Sequence, residues 1–311
     1  MSAIRKRVQE YLALRRGLGF KLHQEGVWLD QFASFLKQRR SSCITTKLAL
    51  EWATLPGNVH PAYLTHRLSV VRGFAQYHAA RDPRTEVPPL GLLPHHYRRK
   101  SPYIYTDDEI GRLLRAAEQL SSKTGLRPLT YATLLGLLVV SGMRISEAVG
   151  LDRDDVDLAD GVLTVRRTKF GKSRLVPVHP STRRALNRYA DSRDRICPKP
   201  ATTRFFVAEQ GGRLTVNTTQ QTFVRLSRQV GLRGPCDRRG PRLHDLRHRM
   251  AVRVLLGWYR AGADVEHRLP QLSTYLGHTH VTDTYWYLSA VPELMRAVMA
   301  RLESRPGGRP A

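Results

Sequence analysis

The sequence predicts a mainly α-helical protein of two domains, with one small β-hairpin or sheet in the second domain. The chain of 311 residues is long enough for two domains. Apolar residues recur at helical spacing through most of the chain, whereas β-like runs are confined to residues 161–166 and 173–178. We therefore expect an all-helical first domain and a mixed, mostly helical second domain.

The first domain, residues 1–82, is predicted to consist of helices. Two of its segments carry apolar residues at helical spacing: Trp28, Leu29, Phe32, Phe35 and Leu36 in the first, and Leu64, Leu68, Val71 and Phe74 in the second. Pro56, Gly57 and Pro61 lie between the segments and separate them. This pattern is typical of short helices packed around a common core.

Residues 83–102 are predicted to link the two domains. The stretch from Pro83 to Pro94 contains four prolines, counting both ends, and few periodic residues. Proline lacks a backbone N–H and blocks the continuation of a helix, so this stretch is a poor candidate for regular structure. We expect the second domain to span residues 103–304 and residues 305–311 to form a flexible tail.

The second domain is predicted to begin with a capped helix. Thr106 is followed three residues later by Glu109, which is the spacing of a capping box. Residues 129–140 have the composition of a buried helix, and the two β-like runs flank a basic turn. Further helices are expected near residues 181–193, 215–231, 242–262 and 292–302.

The charge of the chain points to a nucleic-acid partner. Lysine and arginine number 51 against 26 aspartates and glutamates, which gives a formal net charge of +25. The basic residues are spread along the chain rather than collected in one block, so we expect a folded surface that follows a DNA backbone. Such contacts give affinity and salt dependence but do not read sequence.

Composition also excludes several classes of protein. The three cysteines are odd in number and widely spaced, which argues against a disulfide scaffold or a thiolate zinc site and fits a reducing cytosol. The basic N-terminus lacks the apolar core of a signal peptide. The longest apolar run, Tyr131–Val140, is about half a membrane span. We expect a cytoplasmic, nucleoid-associated protein without a membrane partner.

Four segments of the second domain carry polar residues that a core-building segment would not need. They are residues 141–151 with Arg144 and Glu147, residues 168–174 with Lys169, residues 242–248 with His244 and Arg247, and residues 275–288 with His278 and Tyr287. Residues three apart share a helix face, so His244 and Arg247 can direct two donors to one phosphate. A lysine at a tight turn can be aimed into a cleft as a proton donor.

Each segment alone also has a structural interpretation. Arg144 with Glu147 suits a surface ion pair, Lys169 suits a solvated turn, and the aromatic residues suit core packing. His278 and His280 are conceivable metal ligands, but no carboxylate or thiol lies at ligand spacing from them. We therefore expect neither a metal nor another cofactor.

Taken together, the segments resemble the tyrosine recombinases, the phage integrase family. The matching features are the Arg-Ile-Ser-Glu segment at 144–147, the His-Asp-Leu-Arg-His box at 244–248, and a Leu-Gly-His segment with a tyrosine nine residues after the histidine. The match covers the second domain, about two-thirds of the chain. The first domain looks like the helical core-binding domain that contacts DNA in this family.

The resemblance implies a phosphodiester exchange with a tyrosine nucleophile. In this family the tyrosine hydroxyl attacks the scissile phosphate, a 3′-phosphotyrosyl link forms and a 5′-hydroxyl leaves, without ATP or metal. The match places the nucleophile at Tyr287. Arg144 and Arg247 would hold the non-bridging oxygens, because the planar guanidinium group suits a phosphate.

The remaining site residues have supporting roles in this resemblance. His244 would carry or donate a proton at the phosphate, and His278 would donate a further hydrogen bond to the transition state. Lys169 would protonate the leaving 5′-oxygen. Glu147 would orient the site without touching DNA.

Two assignments have competitors within the sequence. Tyr285 and Tyr287 point about 200° apart on a helix, so only one of them can face the phosphate. Spacing from His278 favours Tyr287. In the basic turn, Lys169 matches the family's lysine better than Lys172 does, and Lys172 and Arg174 are then expected to contact the DNA backbone.

Two stretches of the second domain are harder to interpret. Residues 258–270 are several residues longer than is usual in the family, and we expect the extra residues to lie in a connecting loop. The last helix carries Leu294, Val298 and Leu302 on one face. This face suits either a neighbouring protomer or the helix's own domain.

The function expected from the resemblance is site-specific recombination of double-stranded DNA. Four protomers would act on two DNA sites through a Holliday junction, in the integration, excision or transposition of a mobile element. The alternatives are a non-catalytic, sequence-specific DNA-binding regulator and a topoisomerase of the related tyrosine type. The sequence leaves open the DNA target, and whether Tyr287 attacks the site bound by its own protomer or by a neighbour.

Overall fold

The computed structural model of the chain describes residues 3–93, 101–166, 173–290 and 292–303. Over these residues the chain is built from thirteen α-helices and one small sheet, which confirms the predicted mainly α fold class. Contacts divide the chain into two compact units, with the boundary between residues 100 and 101. The expected tail, residues 305–311, and residues 94–100 of the expected linker lie outside the described residues.

The first unit contains four helices: α1 (Ala3–Gly17), α2 (His23–Gln38), α3 (Thr46–Thr54) and α4 (Pro61–Ala79). The two segments predicted from apolar spacing are α2 and α4. Pro61 begins α4, where its missing N–H would have no helical partner anyway. The core is aromatic, with Phe32, Trp52 and Phe74 buried in one cluster. Arg67 is buried beside them and donates a hydrogen bond to the Trp52 carbonyl oxygen at 3.0 Å.

The second unit contains the other nine described helices. They are α5 (Asp107–Glu118), α6 (Leu126–Ser141), α7 (Ile145–Ala148), α8 (Pro180–Ile196), α9 (Val216–Gln229), α10 (Leu243–Arg260), α11 (Val265–Leu276), α12 (Thr282–Ala290) and α13 (Pro292–Glu303). The helices predicted near residues 181, 215, 242 and 292 are α8, α9, α10 and α13. Among the helices that the structure describes, none is long and apolar enough to cross a membrane.

The start of the second unit follows the sequence prediction closely. Thr106 caps α5 by accepting a hydrogen bond from the Glu109 amide at 3.1 Å, and the Glu109 carboxylate accepts one from the Thr106 amide at 2.8 Å. The capping box is therefore confirmed. The apolar helix is α6, which packs against α5, α8 and α10. Its burial is incomplete, since Leu129 and Val140 are exposed on its outer face.

The sheet is antiparallel, in the order β1 (Val156–Asp157), β2 (Val162–Val165) and β3 (Arg174–Pro177). The predicted hairpin is β2 with β3, and β1 adds a short third strand. In the register of β2 and β3, Val165 pairs with Arg174, and this is the last described residue pair before the basic turn. Arg174 is thereby fixed at one end of the sheet, and β3 lies against α11.

Most of the stretch 258–270 is helical, whereas we expected its extra residues to lie in a connecting loop. Residues 258–260 are the end of α10, and Val265 begins α11, so the connection between the helices is short. Pro270 lies inside α11 with its ring exposed. One proline removes one helical hydrogen bond, whereas Val265, Leu269, Leu272 and Leu276 bury an apolar face at helical spacing. Packing of that face outweighs the local effect of the proline.

The last helix packs on its own unit. α13 contacts α10 and α12, and Leu294 is completely buried in the cluster that these helices form. Of the two alternatives for its apolar face, the structure shows packing within the domain at this residue. The same cluster contains Tyr287, so α10, α12 and α13 together fix one wall of the site described next.

Candidate active site

Two turns, after α6 and after α11, frame the candidate site. Gly142 follows α6 with φ 61°, and Gly277 follows α11 with φ 68°. This left-handed region disfavours any side chain. A Cβ at Gly277 would also lie 2.7 Å from Nη1 of Arg174. A Cβ at Gly142 would instead lie 3.1 Å from the sulfur of Met250. Glycine therefore permits both turns, and at Gly277 it also permits the close approach of Arg174.

Three successive carbonyl oxygens at the end of α11 each accept a hydrogen bond from a different arginine. The pairs are Arg174 Nε with Tyr275 O at 2.9 Å, Arg247 Nη2 with Leu276 O at 2.6 Å, and Arg144 Nη2 with Gly277 O at 3.1 Å. The last carbonyls of a helix have no partner within the helix and carry partial negative charge. The end of α11 therefore gathers three cations that are far apart in sequence.

Glu147 joins two of these arginines. Its carboxylate accepts hydrogen bonds from Nη1 and Nη2 of Arg174 at 3.0 and 2.7 Å, and from Nη1 of Arg144 at 2.9 Å. Burial of this side chain, which is 7% exposed, opposes its ionisation, but the bonds and charge of Arg174 followed by those of Arg144 outweigh burial. They hold the Glu147 pKa at about 2. The carboxylate stays charged and fixes both guanidinium groups.

Arg247, on α10, is the most enclosed cation of the site. It is 2% exposed, and its Nη1 donates to the Gly142 carbonyl oxygen at 2.8 Å. Burial, followed by the nearby charge of Arg144, lowers the Arg247 pKa to about 10. The guanidinium group therefore remains charged at neutral pH. Bonds to the ends of both α6 and α11 fix its plane.

Two histidines on α10 lie next to each other. His244 is exposed at the mouth of the site, and His248 is buried one turn further along, with the ring centroids 4.7 Å apart. Partial desolvation by the surrounding protein, followed by the charges of Arg247 and Arg242, lowers the His244 pKa to about 4. Burial, followed by the charge of His244, lowers the His248 pKa to about 3. Both rings are therefore neutral at pH 7.

Tyr287 lies deep in the same site. It is 2% exposed, and its hydroxyl oxygen is 3.0 Å from Nδ1 of His248. The ring of His278 stacks near the tyrosine ring, with centroids 6.4 Å apart, and Nδ1 of His278 is 2.8 Å from the Thr284 hydroxyl. The negative charge of an ionised Tyr287 would raise the Arg247 pKa, which indicates that the two side chains are close.

The structure thus brings together Arg144, His244, Arg247, His278 and Tyr287 from three separate segments. The competing tyrosine, Tyr285, is 45% exposed on another face of α12. Lys169, the sixth predicted site residue, and its competitor Lys172 lie outside the described residues. Arg174, which we expected to contact the DNA backbone, here directs its donors to Glu147 and to the Tyr275 carbonyl oxygen.

One residue of the site was not singled out from the sequence. His248 ends the His-Asp-Leu-Arg-His box, but the sequence argument gave a role only to His244 and Arg247, which lie three residues apart. The signal that could have found it is the run of polar residues at 244, 245, 247 and 248, which is too dense for a helix with a single polar stripe. Within the described parts of the chain, no group of three or more potential metal ligands is present.

Comparison with known proteins places the chain among relatives of similar length. The integrase/recombinase y4rB of Sinorhizobium fredii is 50% identical over 98% of both chains. The tyrosine recombinase XerD of Mycobacterium tuberculosis is 33% identical over 77% of this chain and 70% of that protein. Among solved structures, the integrase of transposon Tn1549 bound to transposon right-end DNA aligns with a TM-score of 0.68. It is 20% identical, and the alignment covers 96% of this chain and 99% of that one.

The family comparison covers the whole site. The family model described as "Phage integrase family" matches residues 104–293, which include every predicted site residue and all of the arginines bound to the end of α11. The agreement extends from sequence to fold, since the solved structures with this architecture include a XerH site-specific recombinase and the Tn1549 transposon integrase. The chain belongs to the phage integrase family, the tyrosine recombinases.

Proposed function

We propose that Tyr287 is the nucleophile of a site-specific DNA recombinase and that double-stranded DNA is its substrate. Cleavage and rejoining of DNA is the activity of the family to which the chain belongs. The observation that carries the assignment of Tyr287 is its hydroxyl, which lies 3.0 Å from His248, the residue next to Arg247. The candidate nucleophile and the enclosed arginine therefore occupy one site of one chain.

The proposed reaction exchanges one phosphodiester for another. The Tyr287 oxygen attacks phosphorus and its hydroxyl proton is released, while the bond from phosphorus to the 5′-oxygen breaks and the leaving 5′-oxygen takes up a proton, so that the net step moves one proton from the tyrosine to the 5′-hydroxyl. A 5′-hydroxyl of the second duplex then attacks the phosphotyrosine, transfers its proton back and restores the tyrosine. Each step breaks one phosphoester bond and forms another, so the exchange runs without an external energy source. Repetition on the second strand pair passes through a Holliday junction.

Arg144 and Arg247 are proposed to bind the two non-bridging oxygens. Both guanidinium groups are anchored by backbone carbonyl oxygens, which leaves them oriented before a phosphate arrives. Donors fixed in advance stabilise the charge of a transition state without reorganisation at the moment of reaction. The three arginines and Glu147 sum to a local charge of about +2, which favours a phosphate monoanion.

His244 and His278 are proposed to complete the phosphate site. His244 is neutral in the free protein, and a bound phosphate offsets the arginine charges that lower its pKa. Its protonation is therefore coupled to DNA binding. His278 lies near Tyr287 and follows the turn at Gly277 that binds Arg144. Lys169 is proposed to protonate the leaving 5′-oxygen, on the strength of the family motif alone.

The wider function follows from charge and relatives. A net charge of +25 suits a long path of phosphate contacts, and structural neighbours were solved on DNA. We propose that four protomers act on two sites, and that the reaction moves a mobile element, as the likeness to a transposon integrase suggests. Attack within one protomer is favoured, since Tyr287 lies beside its own Arg247. The reaction would take place in the cytoplasm, at the nucleoid.

The test is a covalent adduct between protein and DNA. Labelled DNA from either side of the protein's own gene is incubated with the purified protein without metal or ATP, and label retained through hot detergent is measured. Adduct in wild type and Tyr285→Phe, with none in Tyr287→Phe, supports the proposal. Adduct that persists in Tyr287→Phe and disappears in Tyr285→Phe overturns it. Tight binding to one site without any adduct would favour a non-catalytic regulator.

A further inference from the structure

His248 is a buried titratable side chain that the proposed reaction leaves without a role. It lies on α10, one residue after Arg247, and its ring is enclosed by three aromatic neighbours. The ring centroids of His244, Trp286 and Tyr287 are 4.7, 5.5 and 5.4 Å away. Nδ1 is directed at the Tyr287 hydroxyl. This contact joins α10, which holds the phosphate-binding arginine, to α12, which holds the nucleophile.

We propose that His248 is a positioning residue for the nucleophile: its unprotonated Nδ1 accepts a hydrogen bond from the Tyr287 hydroxyl and thereby aims the tyrosine oxygen at the phosphate. The inference rests on the proposed function, because it concerns the same site. In this proposal His248 acts on the reaction only by orienting the Tyr287 hydroxyl and does not contact DNA.

The electrostatic surroundings decide the direction of this hydrogen bond. Burial is the main cause that lowers the His248 pKa; the charge of His244 adds to it, and together with Arg242 and Arg247 they outweigh the opposing effect of Asp245, so the ring is neutral at pH 7. A neutral imidazole has one nitrogen that donates and one that accepts. Arginine side chains offer only donors, so they compete for the tyrosine oxygen and not for its proton. The Tyr287 hydroxyl therefore donates to Nδ1, and its oxygen lone pairs remain directed towards the cationic side of the site.

The packing explains why a hydrogen bond is needed at this point. Tyr287 has only two side-chain torsions, and the stacked ring of His278 restricts the tyrosine ring from one side. The orientation of the hydroxyl proton is a separate degree of freedom that packing does not fix. A hydroxyl whose proton points at the phosphate cannot attack it, so an acceptor placed away from the phosphate selects the reactive orientation.

Substitutions that mimic one ring nitrogen at a time test the proposal. Asparagine places its side-chain oxygen near the position of Nδ1, glutamine places it near Nε2, and phenylalanine keeps the ring and removes both nitrogens. The measured quantities are the affinity for DNA and the single-turnover rate of adduct formation. His267→Phe, at an exposed position of α11, is the matched control.

The expected pattern separates positioning from a general structural effect. His248→Phe and His248→Gln form adduct about ten-fold more slowly than wild type, the effect of one lost hydrogen bond, with unchanged DNA affinity. His248→Asn stays within about three-fold of wild type. A wild-type or faster rate in His248→Phe overturns the proposal, as does an equal loss in the asparagine and phenylalanine variants. Absence of adduct in wild type counts against the proposed function instead.

A second measurement needs neither DNA nor a stable variant of His248. Nitrogen-15 spectra of histidine-labelled protein report which ring nitrogen carries the proton. The proposal expects the proton on Nε2 of His248 at neutral pH, and a shift of the Nδ1 resonance in Tyr287→Phe. A proton on Nδ1, or an Nδ1 resonance indifferent to Tyr287→Phe, overturns the hydrogen bond on which the inference depends.

Discussion

Removal of the charge on Glu147 tests whether this carboxylate holds the site together. Glu147→Gln keeps the shape of the side chain and leaves Arg174, which is 10% exposed, without its counter-ion. The Glu147 pKa is lowered from 4.5 to about 2 because the arginine bonds outweigh burial. At about 1.4 kcal/mol per pKa unit, the charged form contributes about 3 kcal/mol to the stability of the second unit at pH 7.

The stability contributed by the Glu147 carboxylate should decrease as the pH falls. The folded-state pKa of Glu147 lies below the unfolded value, so the unfolded chain binds its proton first as the pH falls. The contribution is complete above about pH 5 and is lost as the pH falls towards 2. The stability difference between wild type and Glu147→Gln should therefore be about 3 kcal/mol at pH 7 and shrink to roughly half near pH 3.

The assay must report on the second unit alone. Fluorine-19 spectra of protein labelled with 5-fluorotryptophan separate Trp258 and Trp286, in the second unit, from the two tryptophans of the first. Urea titrations followed at these two resonances give the free energy of unfolding. Glu118→Gln, at an exposed position of α5, is the matched control and should change stability by less than about 0.5 kcal/mol. A Glu147→Gln effect as small as the control, or independent of pH, would refute the reasoning.

Three further predictions concern Arg247, the turn at Gly277 and the salt dependence of DNA binding. Arg247→Lys should lower the rate of adduct formation at least about 100-fold in single-turnover assays, because one ammonium group cannot reach both Gly142 O and Leu276 O. Gly277→Ala should cost about 1–2 kcal/mol in urea titrations, because alanine is strained at φ 68° and would displace Arg174. Affinity for DNA should fall at least about 1,000-fold between 50 and 200 mM salt in filter-binding assays. A wild-type rate in Arg247→Lys, wild-type stability in Gly277→Ala, or a DNA affinity that changes little with salt would contradict these expectations.

Much of the fold could be predicted because its signals are local. Thr106 and Glu109 form the expected capping box. The β2–β3 hairpin also lies where the two short β-like runs beside the basic turn predicted it. α11 was missed because Pro270 is a local signal against a helix, whereas the burial of its apolar face depends on packing against α10 and α12. Sequence patterns report on local preference, and tertiary packing overrode that preference here.

The residues of the candidate site likewise divide into those that the sequence predicted and those that only the structure identifies. Arg144, Arg247 and Tyr287 could be selected because their segments resemble those of the family, and the structure brings them together. The position of Arg174 could not, because a basic residue beside a turn looks the same whether it faces DNA or Glu147. Only the register of β3, which sets Arg174 against the end of α11, decides between the two. His248 likewise acquires significance only through a contact with α12.

The end of α11 explains how one site can hold so many like charges. Three guanidinium groups repel one another, yet each binds a carbonyl oxygen that has no partner within the helix. The helix end thereby stabilises the arginines, and the arginines satisfy the helix end. Glu147 balances one of the three charges, and the remainder is left for an anion. The proposed phosphate site is therefore made of groups that folding has already oriented, and under this proposal recognition of the phosphate and stability of the second unit depend on the same hydrogen bonds.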